Sequence, residues 1–465
     1  MVPKATGAAE ITSELAVQRC IEPTCAAVYA IGERIYVCPQ CGGSLEIHCH
    51  LPVSADPSLL RQRWATRAVS KDPVDASGVW RYREVLPFEE PVPVVTLFEG
   101  NTPIYRAPRS AEYCGVTDLR LKHQGCNPTG SFKDTGMSAA VTQAVVLGAS
   151  TIICASTGNT AASLAAYAAR AGLQAAILVP HGQITAAKLA QSMDYGALVC
   201  EIDGNFDDCM RLAQELGADP SIYLANSINP FRIEGQKTVA YELMEQCNWQ
   251  VPDHIVVPGG NLGNSTALAK GFQELLDIGL IKRAPKMNVV QAEGAAPLAR
   301  LFASLTANQI AGAAPLPDSL ANVENPQTLA TAIKIGAPVS WKKCLRAVLR
   351  SGGKVLSVTE QEIADAKAII GRDGIGCEPA SATTVAGIKK LVVAGHIRDD
   401  ESVIAILTGH VLKDPDYVSH YHRGTLSFAS VKNASPQRIA GTFANPPRKV
   451  AATKAAILAT LERRR

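Results

Sequence analysis

Leu121-Lys-His-Gln-Gly-Cys-Asn-Pro-Thr-Gly-Ser-Phe-Lys-Asp-Thr-Gly136 is the stretch on which the fold turns. It follows a short apolar run, Asp118–Leu121, that reads as a strand. Asn127-Pro-Thr-Gly130 is a turn, and the spacing predicts a helix from near Ser131 with Lys133 in its first turn. A cation there opposes the helix dipole by a few tenths of a kcal/mol or more. Its pKa falls, and a free amine becomes available as a nucleophile. The ordinary alternative is a surface lysine offset by Asp134.

Working outward, short apolar runs alternate with segments of helical period after Glu99-Gly-Asn-Thr-Pro103. That alternation predicts a parallel sheet covered by helices. Strands are expected at 118–121, 151–155, 175–179, 198–202, 221–225, 254–257, 287–292, 354–358 and 403–407. Helices are expected at 158–171, 185–195 and 380–394. At 465 residues, two or more domains are expected. The chain is 47% hydrophobic and 19% charged, the balance of an alanine-rich α/β enzyme. A net charge of +3 predicts no long basic surface, hence no nucleic-acid partner. Arg463-Arg464-Arg465 reads as a solvated helix end. The first twenty residues carry Lys4, Glu10 and Glu14 and no signal-like apolar run, and no stretch suits a membrane span. A cytoplasmic protein with reduced cysteines is therefore expected.

Ligands of such sheets bind beyond the C-terminal strand ends. Ala155-Ser-Thr-Gly-Asn-Thr160 opens a helix with small, hydroxylated residues that suit an anion such as a carboxylate. Asn159 adds a neutral donor; an ordinary N-cap is the alternative. Val257-Pro-Gly-Gly-Asn-Leu-Gly-Asn264 carries three glycines that let backbone wrap a phosphate. It lacks the Gly-Lys-Ser/Thr ending of a nucleoside-triphosphate loop. Leu407-Thr-Gly-His-Val-Leu-Lys-Asp-Pro415 places the Thr408 hydroxyl at the sheet edge, where a cap or turn role is the alternative.

Together, Asn127-Pro-Thr-Gly-Ser-Phe-Lys-Asp134, Ser156-Thr-Gly-Asn159 and Gly259-Gly-Asn-Leu-Gly-Asn264 resemble the fold-type-II pyridoxal-phosphate enzymes. Within them, Glu378-Pro-Ala-Ser-Ala382 and Thr408–Pro415 are similar to the threonine synthases, and the resemblance spans roughly residues 95 to 420. It implies a two-domain, tryptophan-synthase-β-like α/β fold over 96–430. A small subdomain, roughly 140–230, would be inserted in the large one. The resemblance places the cofactor as a Schiff base on Lys133, with Asn159 on its phenolic oxygen. Gly260, Asn261, Leu262, Gly263 and Asn264 would hold its phosphate, and Thr408 would face the pyridine nitrogen. A neutral hydroxyl there would moderate electron withdrawal. Thr135 departs from the arginine common at that position, which bears on local helix contacts.

Asn226-Ser-Ile-Asn-Pro-Phe-Arg232 bears on substrate. In the resembling family, the matching Asn226, Ser227 and Arg232 bind the phosphate of O-phosphohomoserine. A guanidinium fork beside amide and hydroxyl donors suits a dianion; a surface pair of Arg232 with Glu234 is the alternative. Ser156, Thr157 and Thr160 are the remaining candidate substrate contacts. The implied reaction converts O-phospho-L-homoserine and water to L-threonine and phosphate, in a homodimer. A hydroxy-amino-acid dehydratase or a cysteate-synthase-like lyase is the alternative. So, from another class, is a cofactor-free zinc-ribbon binding protein.

Residues 1–55 carry Cys20, Cys25, Cys38 and Cys41 in C-x4-C and C-x2-C pairs, the spacing of a zinc ribbon holding a structural ion. Gly32 suits a hairpin turn within Ala26–Val37, and His48, Cys49 and His50 are not expected as ligands. A connector, 56–95, ends in Pro87, Pro91 and Pro93 and reads as extended or irregular chain. A C-terminal extension, 431–465, completes the chain.

Overall fold

Strands covered by helices on both faces bury near-continuous apolar runs, and all five residues of His254–Pro258 are buried. The computed structural model describes residues 15–52, 56–182, 186–430 and 435–462. Lys4, Glu10, Glu14, Thr185 and Arg463–Arg465 lie outside them.

The strands, in chain order, begin with β1 (Ala16–Cys20), β2 (Val28–Ala30) and β3 (Leu45–Cys49), then β4 (Ile104–Arg106) and β5 (Asp118–His123). Next come β6 (Thr151–Ala155), β7 (Gln174–Pro180), β8 (Leu198–Ile202) and β9 (Ile222–Leu224). The remaining four of these thirteen, which a two-residue antiparallel pair (Ser427–Phe428 with Gln437–Arg438) follows, are β10 (His254–Pro258), β11 (Lys286–Ala292), β12 (Val355–Val358) and β13 (Ser402–Leu407). They form an antiparallel sheet of order β2-β1-β3, a four-stranded sheet β8-β7-β6-β9 and a six-stranded sheet β12-β11-β10-β13-β5-β4. The chain leaves the larger sheet after β5, builds the smaller one, and returns at β10. Every pairing within these two sheets is parallel except β4 with β5.

All nine expected strands are present, with ends shifted by at most two residues. The edge strand β4 is too short to leave a pattern. The expected helices appear as Asn159–Ala171, Ala186–Asp194 and Pro379–Val393.

Six helices carry the site or the amino-terminal module: α1 (Lys133–Val146), α2 (Asn159–Ala171), α3 (Phe231–Gln246), α4 (Gly263–Asp277), α5 (Trp341–Ser351) and α6 (Pro379–Val393). Helices α1 and α3 cross backbone to backbone. A Cβ on Gly235 would meet the Thr135 carbonyl oxygen at 2.0 Å, and one on Gly136 the Arg232 oxygen at 2.7 Å. Glycine at both positions brings the first turns of α1 and α3, and so Lys133 and Arg232, to one place. Thr135 uses its hydroxyl locally, donating to the Phe132 carbonyl at 2.9 Å. Helix α4 joins by the same device, since a Cβ on Gly271 would meet the Lys237 oxygen at 2.5 Å.

Two expectations are corrected. The connector is not irregular throughout: Ser58–Ala68 is a helix and Trp80–Val85 a 3-10 turn. Leu60 and Trp64, four residues apart, are its buried positions, a helical spacing masked by the prolines further on. Gly32 does lie in a turn, but Ala26–Val37 is not a self-paired hairpin. Strand β2 pairs instead with β1, across the first cysteine pair.

Candidate active site

Lys133 is the first residue of α1, and the loop before it is pinned to the end of β13. The Phe132 amide donates to the Thr408 carbonyl at 2.9 Å and the His410 amide to that of Gly130 at 2.9 Å. Gly130 adopts φ +85°, which only glycine tolerates readily. Asp134 does not offset Lys133 at the surface: it is fully buried and accepts from the Thr129 amide at 2.7 Å and hydroxyl at 2.6 Å. Burial first, and then the Arg232 charge, push the Lys133 ammonium down to about 7. The surface-lysine alternative therefore fails. The free amine predominates above that value, so cofactor capture by the apoprotein should accelerate through about pH 7. A rate that rises only toward pH 10 would show an unperturbed lysine.

The residues before α1, α2, α3, α4 and α6 (Phe132, Gly158, Pro230, Leu262 and Glu378) make no side-chain cap bond. Three helices elsewhere close their first turns with capping boxes, at Asn205, Thr306 and Thr359, while others, after Pro57, Ala107 and Ala296, are uncapped as well. Uncapped N-termini leave amides pointing outward with favourable dipoles, the condition for holding anions.

The glycine loop rises from β10 into α4. Gly259 donates to Val290 at 2.7 Å, and a Cβ there would strike Gln291 at 2.7 Å. Leu262 is held left-handed at φ +65°, turning the Gly263 and Asn264 amides into the helix start. Asn261 donates to the Ser227 hydroxyl at 3.4 Å, joining this loop to the segment before α3. Asn264 Nδ2 reaches Gln124 Oε1 at 3.4 Å, while Asn264 Oδ1 and Gln124 Nε2 are buried without partners among the described residues. Buried orphans of this kind are rare in a finished structure and fit a group bound against them. The donor set therefore suits a phosphorylated aldehyde cofactor: a lysine near neutrality, a glycine phosphate loop and unpaired polar atoms beside it.

Arg232 is 2% exposed at the start of α3. It donates to the Ala225 carbonyl at 3.0 Å and reaches the Thr160 hydroxyl at 3.5 Å, while its Nε has no partner among the described residues. Burial lowers its pKa to about 10. The expected alternative pair with Glu234 is absent, because Glu234 pairs with Lys237 at 2.6 Å and with Lys270. Asn226 spends its amide on the β6 end, accepting from the Ala155 amide at 3.0 Å and donating to its carbonyl at 2.9 Å. It thus holds the Ser156–Gly158 loop in place. Ser156 accepts from the Gly158 amide at 3.4 Å, and Ser156 and Thr157 are half-buried.

Thr408 and Asn159 meet on a residue that sequence reasoning did not assign. Asn159 Nδ2 donates to Glu378 Oε2 at 3.0 Å, and the Thr408 hydroxyl to Glu378 Oε1 at 2.8 Å. Ser381 completes the group, 3.1 Å from the Thr408 hydroxyl. Glu378-Pro-Ala-Ser-Ala382 carried the family resemblance, and a glutamate between two candidate cofactor contacts was the available signal.

In the amino-terminal module, the sulfurs of Cys20, Cys25, Cys38 and Cys41 lie within 4.8 Å of one another. The Cys20–Cys41 and Cys25–Cys38 pairs are 3.5 and 3.7 Å apart. Tetrahedral zinc with bonds of about 2.3 Å requires about 3.8 Å between sulfurs, so the four fit that ion. Cys49 turns instead toward Glu234, at 3.6 Å.

Comparison with known proteins agrees with this geometry. The threonine synthases of Methanocaldococcus jannaschii and Methanosarcina acetivorans are 46% and 45% identical to the chain, each over 86% of it and 93% of the relative. That of Mycobacterium leprae is 46% identical over 72% of this chain and 88% of its own. Among solved structures, the processed threonine deaminase isoform 2 of Solanum lycopersicum superposes with a TM-score of 0.57 at 19% identity, covering 79% of this chain and 94% of that one. A fungal L-serine ammonia-lyase from Rhizomucor miehei gives 0.55 at 21%, covering 67% and 94%. These likenesses establish the expected fold-type-II α/β architecture. The model of the family described as "Pyridoxal-phosphate dependent enzyme" matches residues 95–409, from before β4 through the end of β13, and the chain belongs to that family.

Proposed function

We propose that this chain is a threonine synthase, converting O-phospho-L-homoserine and water to L-threonine and phosphate. The observation that carries the reading is Arg232: a buried guanidinium with an unpartnered Nε, beside Thr160 and charge-coupled to Lys133. Enzymes of this architecture that act on unphosphorylated amino acids need no such cation. The close similarity to curated threonine synthases over most of the chain supports the same reading.

The bound cofactor supplies an electron sink at the substrate α-carbon. This chain's own residues do the rest. The uncapped start of α2, with Ser156, Thr157 and Thr160, receives the substrate carboxylate. Arg232 and Ser227 hold its phosphate and orient the γ-carbon for departure. Lys133, poised near neutrality, takes the α-proton and then a β-proton as phosphate leaves. Water adds at the β-carbon, and protons return to the γ- and α-carbons. Gly260–Asn264, with the start of α4, keeps the cofactor phosphate apart from the substrate's. Mixing the protein with O-phosphohomoserine and assaying phosphate and threonine tests the reading. A cytoplasmic homodimer completes it, and the thirteen free cysteines suit a reducing compartment.

The four clustered thiols are read as a structural zinc site. They close the coordination shell, leaving no position for substrate. The module they close rests on α5, where Lys343 donates to the Leu45 carbonyl at 3.1 Å and Arg346 to that of Ile21 at 2.9 Å. About one zinc per chain should co-purify. Chelation should lower the thermal midpoint of the module without bleaching the cofactor. Four freely titratable thiols in a metal-free preparation would reject the site.

A further inference from the structure

We propose that Glu378 is a positioning residue that fixes the Thr408 hydroxyl proton, so that Thr408 meets the cofactor's pyridine nitrogen as an acceptor and that nitrogen keeps its own proton. The inference rests on the family assignment and on Thr408 facing that nitrogen.

With Glu378 ionised, the hydrogen bonds leave one consistent assignment. Ser381 Oγ accepts from the Thr408 amide at 2.8 Å and the Gly409 amide at 3.2 Å. Both of its lone pairs are used, so its proton must go to the Thr408 hydroxyl, 3.1 Å away. The Thr408 proton is then directed to Glu378 Oε1 at 2.8 Å. One lone pair of Thr408 remains, and an acceptor is all it offers a ligand. The other carboxylate oxygen takes one N–H of Asn159 at 3.0 Å, leaving the second for the phenolic oxygen. One carboxylate thus orients both ring contacts.

The local backbone is built for this side chain. Glu378 precedes Pro379, which keeps it extended at the start of α6, and it caps nothing. It is 1% exposed. A Cβ on Gly409 would lie 2.3 Å from its carboxyl, so only glycine leaves it room. Burial raises the carboxyl above its ordinary range, Asp414 adds to that, and the bonds from Asn159 and Thr408 with the Lys413 charge pull it back. Lys133 and Lys367 also feel its charge. This revises the expectation that a neutral hydroxyl moderates electron withdrawal: the hydroxyl's direction, set by Glu378, favours the protonated and more strongly withdrawing ring.

The test is the ring-nitrogen resonance of holoenzyme reconstituted with ring-15N-labelled pyridoxal phosphate. Wild type should show the upfield position of a protonated pyridine. In Glu378→Gln an amide N–H can face Thr408, whose proton then turns to the ring. The signal should move downfield, and kcat should fall on the order of tenfold to a hundredfold, as when an outer partner of a ligand is lost. Ser381→Ala leaves the Thr408–Glu378 bond in place and should keep the upfield signal. A downfield wild-type signal, an unmoved signal in Glu378→Gln or a shifted one in Ser381→Ala would each overturn the proposal. Should Glu378→Gln fail to hold cofactor, the wild-type and Ser381→Ala spectra still decide. Absence of any bound-cofactor resonance in wild type would instead refute the cofactor reading on which the proposal stands.

Discussion

Arg232→Ala should keep the cofactor and its visible absorbance while turnover of O-phosphohomoserine collapses. Charge-assisted hydrogen bonds are worth about 1.5–3 kcal/mol each. Losing a two-pronged contact to a phosphate dianion therefore corresponds to roughly 10^2- to 10^4-fold in kcat/KM. Arg232→Lys should recover only part, because a point charge does not reproduce the fork. The substitution sits in a fully packed helix start, with a bond to the Ala225 carbonyl, so a circular-dichroism melt should accompany the kinetics. Loss of cofactor would mean that the two phosphate positions are interchanged. Unchanged kinetics would leave a dehydratase as the better reading.

Lys133→Ala should be the more damaging change. It removes the covalent anchor and the base that moves protons at the α- and β-carbons. Either role alone is commonly worth 10^2-fold or more, so a loss of at least about 10^3-fold is expected. Borohydride reduction of the wild type followed by peptide mapping should place the pyridoxyl label on Lys133. Label on Lys122 would refute the assignment. Lys122 is also buried, but it is bonded to Glu242 and to the Thr102 carbonyl, which leaves it no free amine. A fully active Lys133→Ala protein would refute it too.

The sheet and its loops were legible because their signals are local. Apolar runs such as His254–Val257 mark strands, and glycine or hydroxyl residues directly after them mark helix starts. What escaped depends on contacts across the chain. The helix Ser58–Ala68 has only two buried positions and adjoins a proline-rich tail. Asn226 was read as a ligand donor, and its type alone does not tell that the Ala155 backbone takes its amide. Glu378 precedes a proline at a helix start, and nothing in that local pattern marks it as buried. It is buried by the approach of Gly409, thirty-one residues later in the sequence, and by the bond from Asn159. The separation of Arg232 from Glu234 is of the same kind, set by Lys237 and Lys270.

On the proposed reading, one cleft joins a Lys133-bound cofactor to a cation reserved for a substrate phosphate. Incubating the purified protein with O-phospho-L-homoserine and quantifying products tests it most directly. One L-threonine should appear for each phosphate released. Inertness toward that substrate, with threonine or serine deaminated to a keto acid instead, would contradict it.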